Sequence, residues 1–388
     1  MKKWPGISYN LTHYFSHKLN RQLSELYASV ALKDFAVAAI AIFEPIYLWT
    51  LGFSLQNIVL FYLLVYGLYI FTMPLGGKFA SQVGYEKTIF ISSFFLIFLY
   101  LCLFLIPYHP VFIILAVAMY VMRKTLYWPA FHGDFAQSSD ESDRGRETAS
   151  IETISMFVYV LGPLAGGFII KFFGFNVLFF VVSIIILLSN IPMLITKEKV
   201  KKFKYNYLAS FKMITKKENL RSFMAYLGFG EELVVMVVWP IFIYMVVKDF
   251  FNVGGLVALA TFVTGVVLLF IGRSTDKRKN KNKIVKTGAI FYSITWLMRL
   301  LASTGLHVFF IDSFSRVFKN VIYVPVMALT YDRASKKEIL KSVIFFEQGL
   351  AFGKFLAALS IYILLFFFSG PAAAFIIAAG MTFLYIFI

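Results

Sequence analysis

The chain reads as a succession of long apolar runs separated by short polar stretches, many holding glycine or proline. Runs long enough to cross a bilayer, at about 20 residues each, fall near residues 25–50, 56–80, 88–107, 110–135, 148–171, 174–196, 222–247, 252–272, 284–305, 307–331, 342–368 and 371–388. This pattern predicts an all-α membrane protein with twelve transmembrane helices. Residues 1–24 carry Lys2, Lys3, Lys18 and Arg21 but no short apolar core followed by a small-residue cleavage site. They read as a retained amphipathic segment rather than a cleaved signal.

The second half repeats the first at a nearly constant offset. Pro45-Ile46-Tyr47-Leu48-Trp49 recurs as Pro240-Ile241-Phe242-Ile243-Tyr244, an offset of 195 from position 45 to position 240. At the same offset Gly77 falls on Gly272 and Glu152 on Glu347, and Tyr127-Trp128-Pro129 falls one residue further on, at Tyr323-Val324-Pro325. Two homologous bundles of six helices are expected, over 25–196 and 222–388, joined by a linker over 197–221. Repeated halves in a membrane protein suit a transporter, because two similar bundles can rock about a site held between them.

Composition excludes a water-soluble protein. Hydrophobic residues make up 60% of the chain and charged residues 15%, against roughly 45–50% and about 25% in soluble domains. The charge that remains is strongly basic, +17 net, and unevenly placed. The linker 197–221 carries nine Lys or Arg, and the stretch after the eighth run carries Arg273, Lys277, Arg278, Lys279, Lys281, Lys283 and Lys286. The positive-inside rule therefore places both termini in the cytoplasm, in a cell or inner membrane. Basic loops against an anionic leaflet account for the net charge without a nucleic-acid partner. The single cysteine, Cys102, allows no internal disulfide, and the five histidines show no metal-ligand spacing. No GxxxxGK[ST] phosphate loop is present, so neither cofactor nor ATP drive is expected.

Two loops carry the sharpest motif. Gly272-Arg273-Ser274-Thr275-Asp276-Lys277-Arg278 fits the GxxxDK-plus-bases loop of the major facilitator superfamily. Its first-half copy keeps Gly77, Gly84 and Lys87 but has Ser81 and Gln82 in place of Asp and Arg. Arg123 resembles the intramembrane arginine of that family's fourth span, and Ser142-Asp143-Arg144-Gly145-Arg146 resembles its loop between spans 4 and 5. Leu161-Gly162-Pro163-Leu164-Ala165-Gly166-Gly167 resembles the GPxxGG motif of the drug and proton antiporter branch, with Val158 where that motif starts with glycine. The resemblance covers nearly the whole chain. It implies gating roles for Gly77, Gly84, Gly162, Pro163, Gly272, Asp276 and Lys277; close packing at a kink is the alternative for Gly162 and Pro163.

Ionisable groups inside the bilayer are costly and so are placed for a reason. At about 1.5 Å per helical residue, Glu44, Arg123, Glu231, Glu232, Arg316 and Lys319 all lie deep, on spans 1, 4, 7 and 10. These are the cavity-lining spans in the resembling family, and the groups are read as the substrate and proton site, with Trp239 as a stacking surface. Arg123 and Lys319 are repeat mates at offset 196. Glu44 is the expected partner of Arg123, and Glu231 or Glu232 that of Lys319; static ion pairs holding the bundle are the competing reading. Glu347 and Lys354 on span 11 compete for a cavity role, and Arg299 is assigned to a peripheral pair between helices. The expected function is secondary active transport of a small molecule by a monomer, by alternating access and without catalysis. Proton-coupled efflux of an amphipathic compound comes first. Uptake or exchange of an organic anion, or a non-transporting sensor on the same fold, remain open.

Overall fold

The computed structural model describes residues 21–138, 144–195, 205–275, 281–333 and 339–387. Asp276 and Lys277 lie outside them. Among the described residues all regular structure is helical. The first run forms α1 (Arg21–Ala41) and α2 (Phe43–Thr50), interrupted at Ile42 just before Glu44 and Pro45. Then follow α3 (Leu55–Val83), α4 (Tyr85–Leu105), α5 (Val111–Ser138) and α6 (Arg144–Leu188). Gly84, at φ 108°, turns the chain between α3 and α4, and Gly174, at φ 82°, breaks α6. Only glycine enters that region without strain.

A short α7 (Ala209–Ile214) occupies the linker, and α8 (Leu220–Leu227), α9 (Glu231–Leu233) and α10 (Trp239–Val247) form one irregular rod. Between α9 and α10, Val234–Val238 is a π-turn. Its cause lies in the sequence: Pro240 has no N–H to give the carbonyl of Met236 and its ring crowds that oxygen, so the ladder shifts register. The remaining helices are α11 (Phe250–Thr275), α12 (Lys281–Met298), α13 (Gly305–Arg333), α14 (Ile339–Leu364) and α15 (Ala372–Phe383). The repeat shows where α3 and α11 begin, at Leu55 and Phe250, and where α5 and α13 begin, at Val111 and Gly305, 195 and 194 residues apart.

Among the described residues nine helical stretches are long and apolar enough to cross a membrane, against the twelve expected. The difference has physical causes. Ile154–Leu194 is one continuous stretch of 41 residues bent at Gly174, α13 is diluted by Asp312, Arg316 and Lys319, and Ala372–Phe387 is short. The chain is a multi-pass membrane protein.

The halves meet along two seams, α3 with α14 and α6 with α11. Small residues make both possible. A Cβ on Gly77 would stand 2.3 Å from Ile344 Cδ1, and one on Gly254 would stand 2.2 Å from the Pro163 carbonyl oxygen. The Leu161–Gly167 run seats two neighbours at once. Gly162 and Gly166 face the backbone of Ala38 and Ala39 in α1, while Pro163 and Gly167 face α11 at Gly254 and Phe250.

Candidate functional site

Between the halves lies a cavity of about 330 Å³. Tyr62, Tyr100, Tyr120, Tyr127, Tyr159, Trp128 and Trp239 line it, and five charged side chains reach it: Asp34, Glu44, Arg123, Lys124 and Arg316. Glu44 enters through the first turn of α2, where the break at Ile42 turns the chain. Its carboxylate accepts a hydrogen bond from Tyr62 Oη at 2.8 Å.

Glu44 and Arg123 do not form the expected ion pair; no carboxylate lies within 4 Å of Arg123 among the described residues. The guanidinium instead lies over Tyr127, 4.7 Å from the ring centroid, and 5.9 Å from that of Trp128. Helix geometry favours this, because residue i+4 stands on the same face one turn away. Lys124, passed over in the sequence, also reaches the cavity. Its ammonium sits 5.0, 5.1 and 6.0 Å from the rings of Tyr66, Tyr120 and Tyr69 and donates to Tyr66 Oη at 3.4 Å. It too has no carboxylate within 4 Å among the described residues. Lys33 sits behind this wall, 4.9 Å from the Tyr127 centroid, its buried ammonium without a hydrogen-bond acceptor among the described residues.

On the opposite wall Trp239 donates to Asp312 Oδ1 at 2.9 Å, and Arg316 donates to Asp312 Oδ2 at 2.7 Å. The sequence reading also missed Asp312. The signal was the i, i+4 spacing to Arg316.

Glu231, Glu232 and Lys319 are brought together, but away from the cavity lining. Lys319 pairs with Glu231 and, at 3.1 Å, with Glu232, so one lysine serves both glutamates. Lys354 holds the other Glu232 oxygen at 2.7 Å, Tyr292 Oη donates to Glu231 at 2.6 Å, and Lys319 donates to Tyr385 Oη at 2.9 Å. Two acids and two bases neutralise one another there, which is how buried charge is usually tolerated. Repeat mates thus differ: Lys319 is spoken for by carboxylates and Arg123 is not.

At the end where α2 meets α10, Phe250 stacks on Tyr244 at 4.9 Å and packs edge-on against Phe43 and Phe175. Lys171 and Asp249 close this end as an ion pair at 3.0 Å. The Asn252 N–H on its carboxylate, with Lys171 beside it, holds the Asp249 carboxyl below the usual aspartate range. Further along the α3–α14 seam, His132 Nε2 lies 3.4 Å from Glu347, to which Tyr69 also donates. Gly272 falls within α11.

Solved structures similar to this chain include an auto-inhibited peptide transporter of the POT family, at 12% identity and a TM-score of 0.69 with 95% of each chain covered. A D-xylose–proton symporter matches at 12% identity and 0.70, covering 94% of this chain and 96% of its own. A further POT family transporter matches at 13% and 0.70, covering 95% and 97%. No curated protein sequence matches. At such identities the likeness speaks for the fold. The Major Facilitator Superfamily family model, however, matches residues 26–230, more than half of the 388. The chain therefore belongs to the major facilitator superfamily.

Proposed function

We propose that the protein carries a small organic anion across the membrane by alternating access, with the cavity between its halves as the site and Glu44 as the group that couples transport to protons. One observation carries the reading: Arg123 and Lys124 both face an aromatic cavity with no carboxylate within 4 Å among the described residues. A cation at membrane depth without a partner is costly, and a substrate anion supplies what is missing. The tyrosine and tryptophan walls suit a flat or aromatic body on that anion. Uptake or exchange fits this charge better than efflux of an amphipath. The Leu161–Gly167 run, which led to the efflux expectation, already has a packing role on α1 and α11. A structural neighbour described as a proton symporter agrees with proton coupling.

The test is flux of organic anions into proteoliposomes, with candidates first chosen by thermal stabilisation. Arg123→Gln is expected to raise KM for the anion at least about tenfold, the usual scale for losing a charge-assisted contact, and Arg123→Lys to recover part of it. An unchanged KM in Arg123→Gln overturns the anion reading. Absence of flux for any stabilising compound favours the sensor on this fold.

A further inference from the structure

Behind Trp239 a second group of donors has no acceptor among the described residues. Arg299 ends α12 in a 3-10 turn, Arg299–Leu301, and is 1% exposed. Its guanidinium carbon lies 3.5 Å from the centroid of Trp296 and 4.3 Å from that of Trp239. The N–H bonds of a guanidinium lie in its plane, so acceptors must approach its edge while the indoles take its faces. Nη2 donates to Ser315 Oγ at 2.9 Å, but Nε and Nη1 are buried without an acceptor among the described residues. Trp296 Nε1, on an indole stacked against the same guanidinium, is likewise buried without one among those residues.

The charges are out of balance in the same place. Asp312 is the one carboxylate within 4 Å of Arg299 among the described residues, at 3.9 Å, and its oxygens are occupied by Trp239 and Arg316. Two guanidiniums share one carboxylate, leaving about one positive charge uncompensated. We propose that the edge of Arg299, with the Trp296 N–H as a further donor, binds a small monovalent inorganic anion of the size of chloride. Three features select that ligand. Every unmet group is a donor, which suits an acceptor without hydrogens. Water would meet the donors but leave the charge. Trp239 lines the cavity and also covers Arg299, so a bulky organic solute in the cavity does not reach this edge. Through Asp312 the bound anion steadies Trp239 and Arg316, both on the cavity wall.

The experiment measures the melting temperature of the purified full chain in potassium chloride against potassium gluconate at equal ionic strength. The wild type is expected to melt higher in chloride, with a saturable dependence on concentration. Trp296→Phe keeps the cation and removes one donor, so its half-saturating chloride is expected to rise on the order of 3–10-fold. Arg299→Gln should abolish the dependence, and Trp296→Phe keeps the test open where Arg299→Gln fails to fold. Equal melting in both salts for the wild type assigns the donors to water and overturns the proposal. So does a chloride curve unchanged in Trp296→Phe and lost in Arg123→Gln, which places the anion in the cavity.

Discussion

Glu44 and Arg123 face one cavity, yet each has taken an aromatic partner: a tyrosine hydroxyl for the carboxylate, and the Tyr127 and Trp128 rings for the guanidinium. Such partners steady a charge without neutralising it, which leaves both groups able to exchange a ligand or a proton. Glu44→Gln keeps shape and hydrogen bonding but cannot ionise. It is expected to abolish accumulation driven by an imposed pH difference while sparing exchange of substrate down its own gradient. Proteoliposome flux with and without that difference reads the two separately; a Glu44→Gln protein that still concentrates substrate removes Glu44 from coupling. Neither arrangement was legible beforehand. The depth of Glu44 and Arg123 follows from counting residues along a helix, but whether a side chain prefers an ion pair or a ring one turn away depends on neighbours from other helices.

Helix seams set how closely the halves approach. Gly254 faces the Pro163 carbonyl across the α6–α11 seam, whereas at neighbouring Gly255 an added Cβ would meet Leu164 Cδ1 at 3.9 Å, an ordinary contact. Gly254→Ala is therefore expected to lower the melting temperature and flux, at a cost of about 1–3 kcal/mol typical of overpacking, while Gly255→Ala leaves both near wild type. Equal melting of the two variants contradicts this seam. The glycine motif itself was visible in the sequence as Leu161–Gly167. That it serves two helices at once was not, since a motif records small side chains and not what packs on them. The π-turn before Pro240 is the converse case, a local distortion implied by one residue and realised where the chain needs it, beside the cavity wall.

At the scale of the molecule, the Lys171–Asp249 pair joins the halves at the end where α2 meets α10. Partly exposed pairs contribute about 0.2–1 kcal/mol, enough to shift a two-state equilibrium roughly 1.4–5-fold. Asp249→Asn is expected to change the transport rate within that range with KM unchanged, and the charge swap Lys171→Asp with Asp249→Lys to restore it. Because the folded carboxyl titrates below its ordinary value, the pair's contribution is full above that ordinary value and fades only as pH falls through the lowered one. The closure should thus respond to salt and be insensitive to pH between neutrality and about pH 5. Rates that match wild type in Asp249→Asn at low salt show that this pair does not govern opening.

Much of this architecture is a property of one dimension. Apolar run length decides that the chain enters a bilayer, because unsatisfied backbone polar groups leave helices as the economical crossing. The 195-residue repeat reappears in the starts of α3 and α11, at Leu55 and Phe250, and Pro240 dictates a break wherever its helix packs. Pairing of charges is a property of three dimensions. Arg123 and Lys319 occupy equivalent repeat positions, but Lys319 is surrounded by Glu231, Glu232 and Tyr385, while Arg123 meets rings and a cavity. Electrostatic energy in a low-dielectric interior falls with distance between atoms and not with separation along the chain. Which cation stays available to a ligand was therefore decided only when helices from both halves came together.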